Sequence, residues 1–159
     1  MIAAVEAARP NVTVVTQNID GMHQQAGSRN VIELHGSLWR LRCPRDGSRY
    51  QLEPEGESPT HCRCGAWLRP DIVWFGDCLD DGVVQQAVES ISRCDLLISV
   101  GTSAVVWPSA GFPRLAREHD ARCIEINPEE TDLSPLYHEN HRGLAGEVLP
   151  ALFPPAARP

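Results

Sequence analysis

Three short apolar runs recur along the chain, and each breaks into small polar residues at its carboxyl end. Residues 11–15 lead into Thr16, Gln17 and Asn18, residues 95–100 into Gly101-Thr102-Ser103, and residues 122–126 into Asn127-Pro128. Runs too apolar to alternate suit parallel strands covered on both faces. Between them, Val83, Val84, Ala87, Val88 and Ile91 share one face at helical period, behind Asp80 and Asp81, whose charge favours a helix N-terminus. Another helix is expected from Pro108 to about His119, and a third through Ile2, Val5 and Ala8. A short apolar segment, 146–153, follows late in the chain. Repeated βα units predict an α/β fold, a doubly wound Rossmann-like parallel sheet, whose ligand crevice lies beyond the carboxyl ends of the strands.

The first strand end is the most loaded. Gln17, Asn18 and Asp20 meet a ligand there, or Asn18 and Asp20 merely bond their own backbone in an Asx-type turn before Gly21. A second short strand, 31–34, delivers His35, and Gly36 after it allows a sharp turn, so that the imidazole faces a cleft. Residues 68–77 read as an apolar strand bounded by Pro70 and Gly76, suited to a core or to pairing with a bound peptide.

Residues 38–70 differ in character. Cys43, Cys62 and Cys64 stand in a polar segment at the spacing of a zinc ribbon, in which two tight turns present thiolates to one tetrahedral ion. Three thiolates need a fourth ligand. Asp46 occupies the matching place in the first turn and His61 is the alternative; a ribbon that has lost its metal and survives on packing is the competing reading.

The net charge of −7 argues against binding a phosphate backbone, since nucleic-acid affinity rests on clustered Lys and Arg. No apolar run approaches the length of a membrane span, and the first ten residues carry Glu6 and no basic leader, so a cytoplasmic protein with reduced cysteines is expected. None of the twelve glycines forms a G-x-G phosphate loop.

The segments TQNIDGMHQQAG, ELHGSLWRLRC, RPDIVWFGD, SVGTSAVVWPSAGF and IEIN, in this order, closely resemble the sirtuins, the Sir2-type NAD-dependent protein lysine deacylases. The resemblance covers residues from about 5 to 153, and Trp74 within VWFG is more like the bacterial, desuccinylase-type branch. It implies that His35 is the general base and that Gln17, Asn18, Asp20, Gly101, Thr102, Ser103, Asn127 and Ala145 contact NAD. Val73, Phe75 and Gly76 would line the acyl-lysine site. The implied chemistry is attack of the acyl oxygen on the nicotinamide ribose, release of nicotinamide, and transfer of the acyl group to ADP-ribose with His35 taking the proton. Acylated-lysine proteins are the implied substrates, and Cys78, Cys94 and Cys123 are left as small buried hydrophobes.

The resemblance further implies an incomplete doubly wound sheet with a small inserted zinc-ribbon lobe. Residues 1–37 and 71–153 form the NAD-binding lobe, residues 38–70 the small lobe, and 154–159 a disordered tail. The family's first strand and Gly-Ala-Gly loop have no counterpart here. Weak NAD binding, slow turnover and self-association through the edge left by that strand are therefore expected. The alternative is a non-catalytic, degenerate sirtuin that binds a peptide or NAD metabolite.

Overall fold

The computed structural model describes residues 1–9, 11–52 and 56–154. In chain order its elements are α1 (Ile2–Ala8), β1 (Val14–Thr16), α2 (Met22–Gln25), β2 (Val31–Glu33), β3 (Gly36–Arg42), β4 (Arg49–Gln51), β5 (Arg69–Ile72), α3 (Asp81–Ser92), β6 (Leu96–Val100), α4 (Phe112–Glu118), β7 (Arg122–Ile126), β8 (Glu139–His141) and α5 (Ala145–Leu152), with short 3₁₀ turns at Ser109–Gly111 and Ser134–Leu136.

The period-2 geometry of β6 and β7 explains why both read as largely apolar runs rather than alternating ones. Leu97 pairs with Cys123 and Ile98 with Ile124 in parallel register. Leu97 and Cys123 pack on one face, with Ala87 and Ile91 of α3 and Phe112 and Ala116 of α4. Ile98, Val100, Ile124 and Ile126 pack on the other, with Ile2 of α1 and Leu149 of α5. Helices on both faces leave little room for polar residues, as a doubly wound sheet requires, and Ser99 and Glu125 inside these strands each have a hydrogen-bond partner. Asp80 starts α3 by accepting hydrogen bonds from the Gly82 and Val83 N–H groups, 3.0 and 3.2 Å away.

The parallel sheet comes in two pieces, β1-β2 and β6-β7-β8, which share the packed face around Leu34, Val15 and Leu97 without pairing directly. A third, antiparallel sheet of order β4-β3-β5 carries the cysteine segment. Several expectations need correction. The strand expected over residues 68–77 is confined to Arg69–Ile72, because Gly76 (φ 94°) turns the chain and Asp77 N–H closes that turn on the Trp74 carbonyl, 2.9 Å away. Cys78 is exposed, Cys94 half-buried, and of those three only Cys123 is buried. The parallel strand β8 was not expected, since Glu139-Asn140-His141 has no apolar run and needs none at a sheet edge. Residues 155–159 of the expected disordered tail lie outside the described residues. No helix among the described residues is long and apolar enough to cross a membrane.

Candidate active site and metal centre

His35 sits between β2 and β3, and its position depends on Gly36. That glycine has φ 76°, and a Cβ on it would lie 2.0 Å from the Asp71 carbonyl oxygen of β5. Only glycine lets the two backbones approach so closely. The His35 carbonyl accepts from Val73 N–H at 3.0 Å, while its ring Nδ1 lies 3.0 Å from the Gln17 carbonyl oxygen. A carbonyl can only accept, so Nδ1 carries the proton, and in the neutral ring the free lone pair is on Nε2. This is the tautomer a general base needs.

Gln17 leads onward from β1. Its side-chain amide donates to Thr102 Oγ1 at 3.4 Å, that hydroxyl also accepts from Ala104 N–H at 3.2 Å, and the Thr102 carbonyl accepts from Asn127 Nδ2 at 2.8 Å. One hydrogen-bonded path therefore runs Val73–His35–Gln17–Thr102–Asn127, across the carboxyl ends of β1, β2, β6 and β7. Ala104 stands in the left-handed region (φ 60°), so the loop after β6 carries backbone strain beside this path.

Asn18 and Ser103 are exposed, and their side chains make no hydrogen bond within the described residues. Gly101 (φ 59°) has open space where a Cβ would stand. These three leave polar, sterically open surface at the carboxyl ends of β1 and β6. Asp20 accepts from Met22 N–H at 2.9 Å, so the Asx-type turn is real, and its carbonyl takes the Trp39 indole N–H at 2.8 Å. That turn starts α2, which was not expected from the sequence. Ala145 is placed differently: it packs against the Ile124–Leu149 side of the sheet and lines a cavity of about 260 Å³ with Ile2, Ala3 and Ala26. Beyond Val73, which bonds the His35 carbonyl and is half-buried, Trp74 is 56% exposed and Phe75 fully exposed on the turn after β5, with Gly76 at the turn's end.

The metal-ligating candidates converge. Cys43 Sγ, an Asp46 carboxylate oxygen, Cys62 Sγ and Cys64 Sγ all lie within 4.8 Å of one another. A tetrahedral zinc with bonds of about 2.3 Å to sulfur needs sulfurs about 3.8 Å apart. The Cys43–Cys64 separation is 3.6 Å and the Cys62 Sγ–Asp46 Oδ2 separation 3.3 Å, so the donor set fits that ion. Asp46 is pre-set for one-oxygen ligation, because Ser48 N–H holds Oδ1 at 2.9 Å and leaves Oδ2 toward the sulfurs. Hydrogen bonds from Ser48, then from Cys43 and Cys62, hold its carboxyl well below the usual carboxylate range. Burial pushes the Cys43 thiol up to about 11, whereas the Cys64 N–H and the Tyr50 hydroxyl lower Cys62. His61 instead bonds Thr60 and packs against Trp67 with the rings tilted by 41° and their centroids 4.0 Å apart.

Two charged clusters were missed. Asp71, buried on β5, accepts from Arg40 Nε at 2.7 Å and pairs with Arg49 at 3.0 Å; Arg40 reaches Glu33 of β2 and Arg49 reaches Asp80, the cap of α3, joining the antiparallel sheet to the parallel part. Glu125 of β7 is buried and accepts from Thr131, Ser134 and Arg142 at 2.8, 2.6 and 2.6 Å. A glutamate inside the apolar run RCIEI is the one signal in the sequence that a buried partner exists.

Comparison with known proteins agrees with this geometry. NAD-dependent protein deacylase 2 of Pyrobaculum aerophilum is 52% identical over 153 residues, covering 95% of this chain and 61% of that protein. A Sir2 homologue in complex with NAD superposes with a TM-score of 0.85 at 40% identity, over 95% of this chain and 61% of that one. A mutant Sir2 homologue bound to ADP ribose gives 0.87 at 42%, over 94% and 61%. The chain thus spans about 61% of the length of these relatives. The model of the Sir2 family matches residues 1–108, more than half the chain, with His35 and all four metal-ligating candidates inside it, and the chain belongs to that family.

Proposed function

We propose that the protein is an NAD-dependent protein lysine deacylase that transfers the acyl group of an acylated lysine to ADP-ribose and releases nicotinamide. The observation that carries this reading is the His35 tautomer, fixed by the Gln17 carbonyl, on a path that continues to Thr102 and Asn127. When bound, NAD supplies a ribose whose nicotinamide is a leaving group. His35 Nε2 accepts a proton from a ribose hydroxyl, and the Gln17 carbonyl holds the imidazolium that forms. Asn18 and Asp20 face the nicotinamide end. Gly101, Thr102 and Ser103 receive the ribose and phosphates, and Asn127 braces that loop through the Thr102 carbonyl. Ala145 meets the adenosine end from α5. Val73, Phe75 and Gly76 form the acyl-lysine contact, the exposed ring of Phe75 giving apolar cover to the aliphatic lysine stem.

The lobes divide at 38–70, with Asp71 and its arginines at the seam. Zinc sits between Cys43, Cys62, Cys64 and Asp46, holding the antiparallel sheet. The unpaired cysteines suit a reducing cytoplasm, and the two separate pieces of parallel sheet leave edges through which copies self-associate. The reading is tested by incubating the protein with acetyl- and succinyl-lysine peptides and NAD and following nicotinamide and O-acyl-ADP-ribose. Production that depends on His35 supports it; products formed at an undiminished rate by His35→Ala, or none from the wild type, refute it.

A further inference from the structure

The hydroxyl of Tyr50, on β4, lies 3.3 Å from Cys62 Sγ and donates to it, while accepting from Arg63 N–H at 3.4 Å. The phenol therefore has its proton aimed at one sulfur of the metal cluster and its lone pair engaged by the turn that carries Cys62. Cys62 is the most heavily hydrogen-bonded of the three thiols, since Cys64 N–H also points at it at 3.5 Å. It is buried, as is Cys43, which takes a single N–H, from Arg45 at 3.4 Å; Cys64 is exposed and takes no backbone N–H or hydroxyl donor among the described residues. Asp46 adds weight to this arrangement. A carboxylate is a poorer partner for a soft ion than a fourth thiolate, so retention falls more heavily on the three sulfurs and on whatever fixes them.

Resting on the zinc reading above, we propose that Tyr50 is a positioning residue of the metal centre. Its hydroxyl donates to the Cys62 thiolate, orients that sulfur's remaining lone pair toward the ion, and spreads the negative charge of a three-thiolate, one-carboxylate set. The ring itself is half-buried on β4, where Tyr50 pairs with Leu41 of β3, so the phenol comes to the site on a rigid strand rather than on a loop. A phenylalanine keeps that strand and ring and removes only the donated proton.

The test uses the full chain, Tyr50→Phe and Tyr50→Leu. Zinc affinity is measured by competition with a chromophoric chelator, and the sulfur-to-cobalt charge-transfer band is recorded on the cobalt-substituted proteins. Tyr50→Phe is expected to bind one ion with affinity weakened about tenfold. Its band should move to lower energy, because a thiolate that loses a hydrogen bond holds its lone pairs less tightly. Tyr50→Leu should show the same band shift. If Tyr50→Phe matches the wild type in affinity and band while Tyr50→Leu alone loses metal, the ring acts by packing and the assignment is overturned. If the wild type takes up neither zinc nor cobalt, the metal reading itself fails and this assignment with it.

Discussion

Gly36→Ala separates backbone strain from steric contact at the residue that aims His35. An alanine held at φ 76° costs about 1–2 kcal/mol on the left-handed geometry alone. The added Cβ would also stand 2.0 Å from the Asp71 carbonyl oxygen, inside the 3.0 Å that such contacts essentially never breach. Relief requires β3 and β5 to part by about 1 Å, which stretches the Gly36–Ile72 pairing and the 3.0 Å bond from Val73 N–H to the His35 carbonyl. Two weakened hydrogen bonds add about 2 kcal/mol. The expected loss is about 3–4 kcal/mol, a large share of a stability of order 5–15. Gly47→Ala is the control, since Gly47 has φ 75° with nothing within 4 Å of its Cβ position. It should lose only the strain, about 1–2 kcal/mol. Urea denaturation of the three proteins, side by side, gives both differences. Equal losses for the two variants would show that the β3–β5 contact does not fix the His35 turn.

The loop after β6 and the buried acid of β7 give three more tests. Ala104→Gly removes left-handed strain of about 1–2 kcal/mol at an unfolded-state cost of about 0.4–1, so it should raise the melting midpoint slightly; a fall would mean that Ala104 Cβ makes contacts worth more than its strain. Thr102→Val keeps shape but deletes the acceptor for Ala104 N–H and Gln17, and should cost about 1–2 kcal/mol with faster amide exchange at Ala104; unchanged exchange would deny that the Thr102 hydroxyl holds that N–H. For Glu125, burial opposes its charge, but hydrogen bonds from Ser134, Arg142 and Thr131 outweigh that cost and hold its carboxyl below the ordinary 4.5. A lowered folded value gives stability that is full above about pH 4.5 and drains away as pH falls through the folded value. Glu125→Gln should therefore lose about 2 kcal/mol at pH 7 and show a flatter acid limb in denaturant melts; an acid limb as steep as the wild type's would rule the network out.

What could be read in the chain depended on how local its cause is. β6, β7 and α3 were legible because burial on both faces forces a largely apolar run, and one buried face forces a helical period. The three cysteines were legible by spacing, and their convergence with Asp46 follows from tight turns a few residues long. β8 was not, because an edge strand satisfies its backbone on one neighbour and places no demand on side-chain polarity. The strand expected through Val73-Trp74-Phe75 was over-read for the opposite reason. Apolar residues on a surface turn look like core residues unless the turn-closing Asp77 is given its weight.

The site residues divide the same way. The Asx-type turn expected of Asn18 and Asp20 is made by Asp20 alone: it consumes Oδ1 and starts α2, while the other carboxylate oxygen makes no hydrogen bond among the described residues. His35 could not be resolved locally at all, because its chemistry is set by a main-chain carbonyl eighteen positions away, and a carbonyl has no sequence signature. Any residue at position 17 presents that oxygen. What the glutamine adds is its side chain, which reaches Thr102 and fixes the direction in which the carbonyl points. A Gln17→Ala change should then leave His35 in the same tautomer but free its ring to swing. That distinguishes a backbone acceptor held in place by its own side chain from a side chain that touches the ligand: the first predicts a lowered turnover at unchanged NAD affinity, the second a lowered affinity.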